Sequence, residues 1–417
     1  MKRLLALGAL GALVLLSFTV LAGADDGKGD LRSGGDAAVT FAILGDAPYA
    51  TQTPDYTLAP TNPDHAQFDA SGEFVDAVNA DKKVKLVLFA GDIHSGKEPC
   101  SFTYDRAIYD LWSAFRDPLI YTPGDNEWTD CHKAKQAGAK QFPANSGDYI
   151  NYAAGNPVAN LGLVRQLFFA DPGHALGREP KKVLSQAQVN DPAHPNDAQY
   201  VENVMWEQAG VLFVTLNIPG GSNNDTDAWF GAAETDMQKQ ERKQRTEADL
   251  RWLDAAFAQA TADTVAGVVI MGQGDVWDLD GKAVADNHLT GYETLIQRIA
   301  DKTHDFAPKP VLLFNGDSHF YRSDNPLKNN AACLTETTTF PTTTACTNGV
   351  SLADAHDTHG AGFDPYGPDG LTNFHRLVVH GATQPFEYLR VTVNTENPPA
   401  ASDTSFGPFS WERIRPS

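Results

Sequence analysis

Val39-Thr40-Phe41-Ala42-Ile43-Leu44-Gly45-Asp46 is an apolar run of strand length that stops at a glycine and an acid. The same pattern recurs along the chain. Val84–Ala90 runs into Gly91-Asp92-Ile93-His94, Leu119–Tyr121 is followed by Pro123-Gly124-Asp125-Asn126-Glu127-Trp128, and Val311–Phe314 by Asn315-Gly316-Asp317-Ser318-His319. Near-continuous apolar runs suit strands buried on both faces, and further runs at Val211–Leu216 and Val265–Met271 extend the set. Between them Ile108, Leu111, Trp112 and Phe115 keep helical spacing, and Leu250, Leu253 and Phe257 continue a charged stretch from Thr235. The fold class is therefore α/β, with helices covering a sheet.

In an open α/β sheet, ligands bind outside the carboxyl ends of the strands, so Asp46, Asp92, Asp125 and Asp317 are expected to converge on one edge. A glycine ahead of each acid lets the chain leave the strand sharply and brings the carboxylates close. Packed carboxylates repel one another unless protons or cations intervene. A divalent metal satisfies several at once. One Gly-Asp is an ordinary turn or cap; four in register after strands, with His319 two residues past the last, are better explained by a metal. Oxygen-rich ligation with one imidazole suits Mn, Mg, Fe or Ca better than copper or zinc. The expected complement is one or two divalent or trivalent ions, with Zn kept among the candidates.

These motifs resemble the series Gly-Asp, Gly-Asp, Gly-Asn-His-Glu, a His after a strand, and Gly-His-x-His of the calcineurin-like metallophosphoesterases, which include the purple acid phosphatases. The resemblance spans Val39 to about His319. It implies a four-layer α/β/β/α sandwich with loop insertions, and hydrolysis of phosphate monoesters or diesters by a water that bound metal activates. Asp46 matches the first-motif ligand, Asp92 the bridging carboxylate, and Asp125 the position of the family's Asn ligand. Asn126 stands where the catalytic His belongs. Asp317 replaces the first His of the last motif while His319 keeps the second, and Gln273 falls at the fourth-motif His. Pro48 takes the place of the first-motif His. Tyr49, one step on, is a candidate tyrosinate ligand of the kind purple acid phosphatases use, although their tyrosine lies in the second motif.

These departures make the second metal position harder in character and weaker. Loss of the catalytic His removes a proton donor worth typically about 10²–10⁴-fold. His94, two residues past Asp92, is the candidate replacement, with a surface loop histidine as the alternative. Glu127 is read as orienting or capping the third motif. Asn217 and Asn224 follow a strand on the same edge and are candidate phosphate ligands, with a polar turn as the plainer role. Gly91–Lys97 nearly spells a phosphate-binding P-loop, but Glu98 stands where that motif needs Ser or Thr, so nucleotide binding by this loop is not expected.

The chain of 417 residues opens with Lys2 and Arg3, runs apolar from Leu4 to Leu21, and reaches Ala22-Gly23-Ala24. This is the pattern of a cleaved secretory leader; an uncut membrane anchor is the alternative. Residues 1–24 are read as a signal peptide, 25–36 as a disordered linker, and 37–417 as one domain with insertions near 143–198, 219–233 and 323–373. Those insertions are rich in Gly, Pro, Asn, Asp and Thr, as long surface loops are. Leu377–Gly381 and Phe386–Val393, with no helix between them, read as a closing antiparallel hairpin.

Without Lys2 and Arg3 the balance is 30 basic against 53 acidic residues, a charge of −23, which argues against nucleic acid and anionic lipid as partners. A small phosphorylated substrate meets the same repulsion, which bound cations relieve. The four cysteines fall as Cys100 with Cys131 and Cys333 with Cys346, and in an exported chain they read as two disulfides, other pairings being open. Localisation is expected to be secreted or periplasmic, with no membrane span after leader removal. The alternative function is a non-catalytic metal- or ligand-binding protein on the same fold.

Overall fold

The chain lays down its strands in three passes. β1 (Ala38–Leu44), β2 (Val87–Phe89) and β3 (Leu119–Tyr121) run parallel and begin a first sheet. The second pass builds another sheet from β4 (Leu184–Ser185), β5 (Val204–Gln208), β6 (Val211–Thr215), β7 (Gly267–Met271), β8 (Val311–Asn315), β9 (Arg322–Asp324), β10 (Leu334–Glu336), β11 (Thr343–Ala345) and β12 (Phe374–Val378). Finally β13 (Tyr388–Asn394), β14 (Ser405–Phe406) and β15 (Phe409–Ile414) return to the first sheet, where β13 pairs antiparallel with β1. The first sheet has the order β14-β15-β13-β1-β2-β3 and the second β11-β10-β9-β12-β8-β7-β6-β5-β4. The computed structural model describes residues 37–49, 65–96, 100, 102–133, 155–224, 228–230, 233–277, 289–346, 359–360, 362–367, 369–382 and 386–416. The leader and linker expected over residues 1–36 lie outside the described residues.

Helices cover both outer faces. α1 (His65–Ala80), α2 (Phe102–Trp112) and α3 (Pro157–Phe168) pack Phe74, Ile108, Trp112 and Val164 against Leu44, Val87 and Phe89 of the first sheet. On the second sheet, the short turn α4 (Gly220–Asn224) is followed by α5 (Asp236–Ala262) and α6 (Glu293–Phe306), whose Leu253, Phe257, Ile296 and Ile299 meet Leu212, Ile270 and Leu313. Thr235 caps α5 as its sequence suggests, the hydroxyl accepting from the Gln238 N–H at 3.2 Å. Between the sheets, Phe41 of β1 meets Phe213 of β6 and Phe314 of β8 edge-on at 5.7 and 5.9 Å, contacts worth about 0.5–1.5 kcal/mol each beyond burial. The layers are α/β/β/α, as the motifs imply.

Two local expectations are corrected. Leu377–Gly381 and Phe386–Val393 do not form a hairpin: β12 lies parallel to β8 in the second sheet, while β13 crosses to the first sheet between β1 and β15. Both segments are apolar enough to be buried in a sheet, and local pattern does not distinguish which sheet each joins. The stretch from Pro143 read as loop contains α3, whose Leu161, Val164 and Phe168 are buried. Within the insertion read near 323–373, the threonine-rich stretch Thr335–Thr344 falls in the β10–β11 hairpin, with Thr335 paired to Thr344.

Candidate metal centre

The strand-end corners interlock. The Asp46 N–H donates to the Gly91 carbonyl at 2.9 Å and the Ala47 N–H to the Asp92 carbonyl at 3.1 Å, tying the turn after β1 to the turn after β2. The Asn126 N–H donates to Asp92 Oδ1 at 3.1 Å, bringing in the turn after β3. From the second sheet, the Asp317 N–H reaches both Asp46 oxygens at 3.1 Å, and the Gly316 N–H donates to the Gln273 carbonyl at 2.8 Å. Asp46, Asp92, Asp317 and His319 all sit at positive φ, between 51° and 71°. Asp and His tolerate this left-handed region better than most side chains, and strain of this kind collects at functional sites.

Glycines give the acids room. A Cβ on Gly124 would lie 2.0 Å from Asp92 Oδ1, and one on Gly316 2.3 Å from Asp46 Oδ2. One on Gly220, which follows β6, would meet Asp125 Oδ1 at 2.7 Å and Asp317 Oδ1 at 3.0 Å, so those two carboxylates face the same small space. Gln273 bridges there, its Nε2 donating to Asp125 Oδ1 at 3.2 Å while its Oε1 accepts the Gly220 N–H at 2.7 Å.

At the centre stands the Tyr49 hydroxyl, 3.1 Å from Asp92 Oδ2, 3.4 Å from Asp46 Oδ1, 3.1 Å from His319 Nε2 and 3.5 Å from Asn126 Nδ2. His319 Nε2 is also 3.5 Å from Asp46 Oδ1. Burial, opposed by the Asp317 N–H and reinforced by the Asp125 charge, holds the Asp46 carboxyl well above the ordinary carboxylate range. Burial and then the Asp125 and Glu127 charges do the same to Asp92. Burial pushes the Tyr49 phenol up as well. Crowding of this kind is relieved either by protons or by a cation. Among the described residues no lysine or arginine pairs with Asp46 or Asp92. This donor set of carboxylates, one imidazole, amide oxygens and a phenol fits a hard cation.

Other expected residues stand apart from this group. His94 is fully buried, its Nδ1 3.0 Å from the Ser95 carbonyl and its Nε2 3.9 Å from Cys100 Sγ. Burial lowers its imidazole to about 4. Asn217 donates from Nδ2 to Glu202 at 2.8 Å, and Asn224 accepts the Trp229 indole N–H at 2.8 Å and donates to Glu241 at 3.2 Å. Glu127 caps the third turn, accepting from the Gly124 N–H at 2.7 Å and the Tyr121 hydroxyl at 2.5 Å. Cys100–Cys131 and Cys333–Cys346 are disulfides.

A different trio, Glu336, His380 and Glu387, brings one ligand atom from each residue within 4.8 Å of the others, which the strand-end acids, spread around the Tyr49 hydroxyl, do not. Charge decides between the two groups. Arg413 bonds Glu336 at 2.5 Å and Glu387 at 2.5 and 2.8 Å, and Arg415 reaches Glu387 at 3.3 Å. That trio already has its cations.

One neighbour of the site is absent from the sequence expectations. Asp275 donates its N–H to Asp317 Oδ2 at 3.2 Å and accepts from the Ser318 hydroxyl at 2.6 Å. The available signal was Gly274-Asp275, one more Gly-Asp after a strand.

A family model described as calcineurin-like phosphoesterase matches residues 39–255, and the chain belongs to this family of metal-dependent phosphoester hydrolases. Among curated proteins none matches the chain. The matched residues hold Asp46, Asp92 and Asp125, whereas Gln273, Asp317 and His319 lie beyond them.

Proposed function

We propose that this chain hydrolyses phosphate esters with one or two divalent or trivalent ions held by Asp46, Asp92, Asp125, Gln273, Asp317 and His319, with Tyr49 as a further ligand. The observation that carries this reading is the burial of Asp46 and Asp92 around the Tyr49 hydroxyl, with no lysine or arginine among the described residues pairing with either. When bound, such ions ease deprotonation of the attacking water and neutralise charge on the phosphoryl group.

The chain's own residues set the rest. Asp46 and Asp92 are aimed by the Asp317 and Asn126 amides, and Gly220 leaves open the space that Asp125 and Asp317 share. The Asn126 amide donates to Asp92 Oδ2 at 2.6 Å and so steadies a ligand, but it has no acidic proton to give a leaving group. His94 does not fill that role in this reading, because burial keeps its imidazole neutral at physiological pH. Substrates with good leaving groups are therefore favoured. A second reading, a metal-binding protein without turnover, draws on the same Asn126.

We further propose that residues 1–24 are a secretory leader and that residues 37–417 act as one domain. The two disulfides support an oxidising destination, and no helix among the described residues is long and apolar enough to cross a membrane.

The test is hydrolysis of a nitrophenyl phosphate and its diester before and after chelation. Activity lost to chelator and restored by Mn²⁺ is expected; activity indifferent to chelator overturns the mechanism. Metal binding without turnover on either ester selects the second reading.

A further inference from the structure

We infer that Arg376, acting through Asp275, is a positioning residue that fixes the Gly316–His319 turn and thereby sets the affinity of the metal centre. This rests on the metal-dependent reading above. Arg376 lies in β12, fully buried and outside the residues that match the family. Its Nη1 bonds Asp275 Oδ1, its Nε donates to Asp324 Oδ1 at 2.8 Å, and its Nη2 to Asp324 Oδ2 at 2.7 Å. The guanidinium also lies over the Trp277 ring at 5.3 Å, and Arg322 closes the network on Asp324 at 2.5 Å. The two arginines and two aspartates are each no more than 1 % exposed, so two basic and two acidic side chains are buried together.

Buried ion networks contribute little net stability compared with apolar packing; what this one supplies is direction. With Oδ1 held by Arg376, Asp275 closes its own turn onto the Trp277 N–H at 3.1 Å. Its Oδ2 is left to take the Ser318 hydroxyl at 2.6 Å, and its backbone N–H points at Asp317 Oδ2 at 3.2 Å. Ser318 sits between Asp317 and His319, two candidate ligands in strained backbone. Supporting bonds of this kind hold ligand orientation, and their loss typically lowers metal affinity about 10–100-fold.

The experiment titrates the full chain with Co²⁺, reading the visible d–d bands, for wild type, Ser318→Ala, Arg376→Gln and Arg376→Lys. Ser318→Ala and Arg376→Gln should bind Co²⁺ roughly 10–100-fold more weakly, with altered bands and unchanged circular dichroism. Arg376→Lys, which keeps the charge but not the fork, should fall between. Folded Ser318→Ala and Arg376→Gln with wild-type affinity and bands would overturn the inference. If Arg376→Gln fails to fold, Ser318→Ala, which removes one hydroxyl, decides alone. Wild type that binds no Co²⁺ sinks the metal reading itself, a result distinct from variants that match wild type.

Discussion

Gly124→Ala tests whether glycine precedes the acids for closeness. The added Cβ would lie 2.0 Å from Asp92 Oδ1 and 2.5 Å from the Asp92 backbone nitrogen, against ordinary contact from 3.4 Å, so the carboxylate must retreat by about 1.4 Å. A side chain can swing, but the backbone cannot easily follow. Asp92 sits at φ 58° with its carbonyl bonded to the Ala47 N–H. Overpacking of this kind costs about 1–3 kcal/mol, and a misplacement near 1 Å at a reacting centre costs on the order of 10²-fold in rate. The assay is thermal unfolding with and without Mn²⁺, alongside kcat on a nitrophenyl ester. Gly162→Ala is the control, since nothing lies within 4 Å of its Cβ; it should be neutral or stabilise by about 0.5–1 kcal/mol in helix α3. Gly124→Ala with the Mn²⁺ affinity and kcat of wild type would refute the reasoning.

Three further outcomes are expected. If the Tyr49 hydroxyl becomes a ligand, Fe³⁺-loaded wild type should show a visible charge-transfer band that Tyr49→Phe lacks; identical spectra would remove Tyr49 from the ligand set. Asp249, fully buried, has its carboxyl raised by burial to about 8, so the folded chain binds that proton more tightly than the unfolded chain does. Its contribution is fully present below about pH 4 and is lost as pH rises through about 8; Asp249→Asn should therefore gain on wild type by roughly 1.4 kcal/mol per pH unit across that window. Denaturant titrations at pH 5 and 8 check this, and a variant that fails to gain on wild type between them would contradict it. Cys100–Cys131 closes a separation of 31 residues between the turns that carry Asp92 and Asp125. Replacing both cysteines by Ser should cost about 3–4 kcal/mol and weaken Mn²⁺ binding, as calorimetry with and without metal would show; unchanged metal affinity would mean the tether does not order the site.

Much of this architecture is legible residue by residue. Apolar runs ending in Gly-Asp mark β1, β2, β3 and β8, because strands buried on both faces need no polar alternation and a sharp exit needs glycine. Asp46, Asp92, Asp125 and Asp317 follow from that pattern alone. Arg376 does not, since a single arginine in an apolar strand reveals its partners only once β7, β8 and β12 are side by side. His94 and Asn224 are polar residues in turns, and turns use such residues to bond their own backbone or neighbouring helices as often as to face a ligand. The passage of the chain from β12 to β13 leaves no local trace, because sheet membership depends on partners distant in sequence.

Elemental analysis of the full chain, purified with metal supplied and dialysed against metal-free buffer, bears most directly on the central claim. The account predicts one or two tightly held ions of Mn, Fe, Mg, Ca or Zn per chain in wild type and a clear loss in Asp46→Asn and Asp92→Asn. Wild type as empty as a folded Asp92→Asn would contradict it.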